Sequence, residues 1–215
     1  MTASSLSPMA RTTTPAVWVS LTWGAAVLAA AVAGVFHTPG DLPPVVMGLA
    51  VVTPPAIAIW WALTSERFRA WARSLDPHFL TLLQTWRVVG LAFLALAATG
   101  SLPDGFAVPA GIGDVAVGVT APLVALYAIG RDRLRQRIYL AWTAFGALDL
   151  VTAVALGVLY SDSRIGLLAT DVSTDLMEDL PMVLIPAFGV PFTLVLHLVS
   201  LINLTGDSAV RTGTR

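Results

Sequence analysis

Two charges stand inside long apolar stretches of this chain, Arg87 within 79–100 and Asp149 within 138–160. A charge at the centre of a membrane helix costs roughly 2.5–3.5 kcal/mol on insertion scales, so each calls for a partner away from lipid. A third, Asp114, lies in the stretch 107–129, and His197 is the only imidazole inside an apolar stretch, 181–204. Arginine against carboxylate offers a charge-assisted pair. Carboxylates and an imidazole at staggered depths offer proton carriage. Counting ~1.5 Å of rise per residue from the arginine-bearing end of each stretch puts Arg87 about 12 Å deep, Asp149 about 16 Å, His197 about 10 Å and Asp114 about 21 Å. Arg87 and Asp149 are therefore the expected pair. Asp114 is expected to lack a partner at its own depth and to face the opposite mouth.

The elements that must position these groups are membrane helices. Of 215 residues 56% are hydrophobic and 12% charged, about half the charged share of an ordinary soluble domain, with mean hydropathy +0.80. Six stretches, 15–36, 45–64, 79–100, 107–129, 138–160 and 181–204, reach the ~20 residues that cross a hydrocarbon layer. The first is read as a retained helix, since its uncharged run is longer than the apolar core of a signal peptide. The fold expected is an all-α integral membrane bundle of six transmembrane helices over 15–204, with tails 1–14 and 205–215. Ten of the eleven arginines outside the stretches fall on one side, which the positive-inside rule makes cytoplasmic. Seven of eleven carboxylates outside the stretches fall on the other side. Trp18, Trp60, Trp61, Trp71 and Trp142 cluster near the arginine side, and both termini are expected in the cytoplasm.

Helix faces say where the buried charges point. Gln84 and Gly90 share the face of Arg87; Gly146, Thr152 and Ala153 share that of Asp149; Gly118, Ala121 and Ala125 follow Asp114. Small residues let helices approach, so these faces are expected inside the bundle. Breaks are expected at Thr53, Pro54 and Pro55, at Pro186 and Pro191, around Thr120–Pro122, and over 109–113, where proline and glycine are read as unwinding the helix. Transporters build substrate sites from such broken helices.

The loops carry less chemistry. The segment 66–75 is expected as a short helix on the inner leaflet, with Phe68, Trp71, Ala72 and Leu75 at helical spacing. Arg131, Arg133, Arg135 and Arg137 are read as topology determinants, with anionic lipid as the second reading. Asp171, Asp175, Glu178 and Asp179 have oxygen ligands for a divalent cation, but Asp175 with Glu178 fits a capping box opening the sixth helix, and that reading is preferred. A lone His197 is first a packing residue. The chain has no cysteine and no lysine, which excludes disulfides, thiol catalysis, iron–sulfur clusters and lysine imines. No hydrolase, zinc-protease or paired-carboxylate pattern occurs, no metal site or cofactor is expected, and nothing points to nucleic acid. A faint repeat pairs Trp86 to Gly90 with Trp142 to Gly146.

The stretches 84–90 (QTWRVVG) and 102–114 (LPDGFAVPAGIGD) resemble uncharacterised small multi-pass membrane proteins of bacteria. The resemblance covers the third and fourth stretches, brings no known activity, and implies that Arg87 and Asp114 belong to one functional unit. Three functions remain open. The first is a small-solute or proton-coupled transporter or channel of the bacterial plasma membrane, with Arg87, Asp149, Asp114, His197 and Gln84 along its path. The second is a structural or accessory subunit whose Arg87–Asp149 pair fixes packing, working as a homo-oligomer or beside a partner membrane subunit. The third is an intramembrane enzyme on a lipid or isoprenoid.

Overall fold

The computed structural model describes residues 8–130 and 132–212, with side chains over 15–130 and 132–204. Arg131 and Arg215, the side chains of Arg11 and Arg211, and the ends of both tails lie outside the described residues. The helices are α1 (Pro8–Val32), α2 (Val45–Thr64), α3 (Glu66–Ser74), α4 (Pro77–Leu82), α5 (Leu91–Ala98), α6 (Asp104–Tyr127), α7 (Arg133–Leu159) and α8 (Val190–Thr212). A 3₁₀ segment, Leu83–Gly90, joins α4 to α5, and a π turn, Ile185–Gly189, leads into α8. Among the described residues there is no strand.

Six segments are long and apolar enough to cross a membrane: Pro15–Val32, Val45–Thr64, Pro77–Ala98, Asp104–Tyr127, Arg133–Leu159 and Ile185–Leu204. The chain is a multi-pass helical membrane protein. In lipid a backbone must satisfy its own polar groups, which a helix does within one segment. Large apolar side chains such as Leu63, Leu126 and Leu148 point outward, each at least 65% exposed, as a bilayer-facing surface requires. Successive spans alternate in direction. One end of the bundle therefore holds α3 and the α6–α7 turn with Arg67, Arg69, Arg73, Arg133, Arg135 and Arg137, the arginine-rich end. The other, the carboxylate-rich end, holds the connections 33–44, 99–103 and 160–184. There Arg164 Nε donates to Asp41 Oδ2 (2.6 Å), and Thr38 donates from its backbone N and Oγ1 to Glu178 (2.7 and 2.8 Å).

Helix α6 is the centre of the bundle. Ala107, Ala110, Gly111, Asp114, Val117, Gly118, Ala121 and Ala125 are buried along one stripe. Lipid tails are as apolar as leucine, so close contact through small residues, rather than hydrophobic exclusion, holds such helices together. The 3₁₀ segment packs on that stripe, and α5 and α7 flank it. Helix α1 is peripheral, touching the π turn through Trp23 set edge-on to Phe188 at 4.7 Å. As the sequence leads one to expect, 66–74 is a helix, with Ser65 capping it at Phe68 N (3.2 Å) and Ala72 fully buried against Leu196 and Val199 of α8.

Several expected breaks are absent. Helix α2 runs unbroken through Thr53, Pro54 and Pro55, and α6 through 109–113 and Pro122. A proline deletes one donor but does not end a helix whose neighbouring turns and tertiary contacts hold. Pro186 lies in the π turn and Pro191 at the start of α8, so the interruption expected in the last span is real and sits at its carboxylate-rich end. Asp175 and Glu178 do not open the last helix: they form a short 3₁₀ turn of their own, before 179–184, and Glu178 spends its oxygens on Thr38. Thr152 turns outward, its hydroxyl donating to Leu148 O at 2.9 Å, because three residues advance a helix short of a full turn from Asp149.

Candidate functional site

Thr81, Gln84, Arg87, Gly90 and Phe93 are all buried, at strict intervals of three. In a 3₁₀ helix residues three apart eclipse, so Gln84, Arg87 and Gly90 form a line parallel to the axis, flanked by Thr81 of α4 and Phe93 of α5. The segment is held in this form by α6. A Cβ at Gly118 would stand 2.6 Å from Val88 N and 3.0 Å from Arg87 C, a backbone-to-backbone approach that only glycine admits. The β-branched Thr85, Val88 and Val89 also favour α-helix weakly.

Arg87 has no exposed surface and uses all three of its nitrogens. Nε donates to Asp114 Oδ1 of α6 at 2.7 Å, Nη1 to Gly146 O of α7 at 3.1 Å, and Nη2 to Asp149 Oδ2 of α7. The Arg87–Asp149 pair read from depth is present. The solitary Asp114 is corrected: its carboxyl is bound to the same guanidinium. Depth had been counted at the backbone, whereas the planar fork reaches two carboxyls in two directions. One cation thus faces two carboxyls.

His197 of α8 completes the cluster. Around Gly146 its Nε2 and Arg87 Nη1 lie 2.8 and 3.1 Å from where a Cβ would stand, and its ring meets Trp142 edge-on at 6.2 Å. Among the described residues, His197 Nε2, Gln84 Oε1 and Thr143 Oγ1 are buried without a hydrogen-bond partner. Unpaired buried polar atoms cost on the order of 1–3 kcal/mol each, so a site that keeps three has another use for them or bridges them by water. Their order along the bundle follows from α7, where Tyr139, Thr143, Gly146 and Leu150 form the buried stripe and run in the same direction as the 3₁₀ line. Thr81 Oγ1 meets the Tyr139 hydroxyl at 3.1 Å and Arg87 meets Gly146, which puts Gln84 and Thr143 on the level between. Polar groups therefore run from Tyr139 near the arginine-rich end to Asp114 and Asp149.

Beyond Asp114 a cavity of about 120 Å³ continues toward the carboxylate-rich end. Its walls are apolar, from Met47 and Val51 of α2, Leu150 and Val154 of α7, and Ile185 and Val190 of the last span; its rim includes Ser161, Thr174, Asp175 and Glu178. Val51, Leu150 and Val190 pack together as one cluster beside its deep part.

Of the residues singled out in the sequence, Arg87, Asp149, Asp114 and His197 converge, with Gln84 one 3₁₀ turn away. Pro186 lines the cavity, whereas Thr53 is exposed and Pro54 and Pro55 lie away from it. Arg133, Arg135 and Arg137 are on the surface at the start of α7, where Arg135 pairs with Asp132 at 3.1 Å. Sequence reading missed the Gly146 carbonyl, Thr143, the Thr81–Tyr139 contact and the α2 wall. Only Gly146 gave a signal, as the small residue one turn before Asp149.

Over residues 43–205 the chain matches the family described as a domain of unknown function, DUF8737. The chain belongs to that family. No curated protein and no solved structure matches it. The DUF8737 region begins just before α2 and ends within α8, so it contains the whole charged cluster and every residue of the cavity and leaves α1 outside.

Proposed function

We propose that the protein is a proton-coupled transporter of a small solute in a bacterial plasma membrane, with its arginine-rich end in the cytoplasm and its cavity facing outward. One observation carries this reading: a single guanidinium holds two carboxyls, and one of them, Asp114, is also the deep end of a cavity. With both carboxyls ionised the cluster bears one uncompensated negative charge. A charge unpaired at membrane depth is costly, so the cluster takes up a cation, and the simplest is a proton. The polar line through His197, Gln84, Thr143 and Thr81 supplies a route for that proton toward the cytoplasm, and the cavity supplies the other access. Ten of the eleven arginines outside the apolar stretches of the sequence favour this orientation. In it Arg133, Arg135 and Arg137 lie where anionic headgroups reach them.

The test is reconstitution in liposomes carrying a pH-sensitive dye. An imposed gradient should drive proton movement that Asp114→Asn and Asp149→Asn remove while the proteins remain folded and monodisperse. If the wild type moves neither protons nor small solutes, and Asp149→Asn changes only stability, the transporter reading fails.

The burial of Arg87, with each of its nitrogens bonded and no exposure, favours a second reading: the cluster fixes helix register in an accessory subunit. Removing one partner of a buried pair typically costs about 3–5 kcal/mol, while replacing the whole set by neutral groups is often tolerated. Arg87→Met alone should then destabilise strongly. The triple variant with Asp114→Asn and Asp149→Leu should restore both fold and cellular role on the structural reading, and the fold alone on the transporter reading.

A further inference from the structure

We propose that the solute admitted to this cavity is a small organic cation, an ammonium on a hydrocarbon body no larger than a benzene ring, which replaces the proton of the Asp114–Asp149 pair. The inference rests on the transporter reading and names its substrate class. Every charged residue lining the cavity is a carboxylate, Asp114 at depth and Asp175 and Glu178 at the rim, although the chain carries twelve arginines. The rim pair is partly committed, Glu178 to Thr38 and Asp175 to the backbone N of Asp162 at 3.2 Å. Asp114 is held too, by Arg87, but it shares that one cation with Asp149, so the deep end keeps an unmatched carboxyl and is the attraction point.

Size and surface narrow the class further. A cavity of about 120 Å³ compares with the roughly 150 Å³ of an apolar hole that takes benzene. The aliphatic walls suit a hydrocarbon body, and Phe93 and Phe106, whose rings meet edge-on at 5.6 Å, both line the cavity and present aromatic surface to a cation. An anion meets only like charge there, and a neutral polar solute finds few donors.

The charge balance sets the mechanism. Asp114 is held by Arg87 from the 3₁₀ segment, whose guanidinium also holds Asp149 of α7 and lies beside His197 of α8, with Asp175 and Glu178 farther out at the rim. One guanidinium offsets one carboxylate. The second carboxyl is neutralised either by its own proton or by the entering ammonium, and when the ammonium binds, the O–H bond breaks and the proton leaves to water. Proton and cation therefore exclude each other, which is the condition for exchange.

The test uses the purified full chain in weakly buffered detergent micelles with isobutylammonium, and with isobutanol and isobutyrate as neutral and anionic counterparts. Isobutylammonium should bind with release of about one proton, and its apparent affinity should fall about tenfold per pH unit on the acid side, as one-for-one linkage requires. The alcohol and the isobutyrate should bind at least roughly tenfold more weakly, since they cannot supply the missing charge. Asp114→Asn should abolish binding and proton release. Gly157→Leu provides a variant that keeps every charge: Gly157 lines the cavity and its Cβ position stands 3.6 Å from the ring of Phe106, another lining residue, an ordinary contact, so the new side chain occupies cavity space and should block the ligand with the fold intact. Isobutanol binding as tightly as isobutylammonium, binding without proton release, or binding that survives Gly157→Leu would each overturn the proposal. Asp114-dependent proton flux in liposomes without any isobutylammonium binding would also overturn it and leave the transporter reading standing. Stoichiometric binding without flux would uphold the cation site and remove transport.

Discussion

Gly113→Ala probes the closest approach in the charged cluster. A Cβ at Gly113 of α6 would overlap Oδ1 and Cγ of Asp149 on α7 and stand only 2.9 Å from Oδ2, the atom that holds Arg87. A methyl carbon settles at about 3.5 Å or more from such atoms, so the carboxyl as a whole has to retreat by more than ~1 Å. Asp149 has two side-chain torsions and a carboxyl gripped by a guanidinium. Retreat therefore means leaving Arg87 or parting α6 from α7. Overpacking a close contact costs typically 1–3 kcal/mol, and polar contacts between membrane helices contribute on the order of 0.6 and up to ~1.7 kcal/mol. We expect Gly113→Ala to destabilise by about 2–4 kcal/mol on these two effects together. The measurement is reversible unfolding in mixed micelles followed by tryptophan fluorescence. Adding Asp149→Ala removes the obstructed carboxyl, so the double variant should lose less than the sum of the singles, with a coupling of about 1 kcal/mol or more. A loss below about 0.5 kcal/mol for Gly113→Ala, or strict additivity in the double variant, would refute the close approach and with it the bridge from α6 to α7.

Gly118→Ala should cost about 1–3 kcal/mol in the same assay, because its methyl meets the backbone of Val88 and Arg87 and the helices have to part, while Gly48→Ala should stay within ~0.5 kcal/mol. His197→Phe keeps an aromatic ring against Trp142 and removes an unpartnered buried Nε2, so stability should hold or rise by up to about 1 kcal/mol while proton-coupled flux falls. Hydrogen bonds and the charges of Arg69 and Arg73 hold the Glu66 carboxyl below the ordinary glutamate range. Its contribution to α3 is then present above the unfolded-state value and lost as pH falls through the folded one. The small difference in thermal midpoint between the wild type and Glu66→Gln should accordingly be present at neutral pH, shrink in high salt and close in acid.

The six spans were legible because each is a local signal, an apolar run of sufficient length, and the intramembrane charges because they interrupt such runs. Pairing Arg87 with Asp149 followed from rise per residue, since both start near the same end of the bundle. Asp114 was misplaced by the same arithmetic, which treats an arginine as a point although its guanidinium lies several ångströms from its backbone and binds in more than one direction. Proline was overread. Pro54, Pro55, Pro109 and Pro122 stay inside continuous helices, and only Pro186 sits in a changed backbone, the π turn. The cavity had no signature in the chain. Met47, Leu150 and Pro186 come from three distant segments, each apolar residue unremarkable in its own helix, and only tertiary packing makes them one wall.

The 3₁₀ segment is what turns those charges into one cluster. In an α-helix each step of three residues falls about 60° short of a turn, so Gln84, Arg87 and Gly90 would spread over about 120° and face different neighbours. At three residues per turn they stay in line. That line keeps Gly90 against α6, where a Cβ would meet the Gly111 carbonyl at 3.1 Å, and keeps Arg87 level with both Gly146 and Asp114. Poorer hydrogen-bond geometry makes eight residues of 3₁₀ helix unfavourable in isolation. It persists because α6 presents glycine at 111 and 118, where any side chain would push the segment away. The glycines of α6 and the arginine of the third span are thus one feature: the first fix the backbone form, and that form aims the guanidinium at two carboxyls on two different helices.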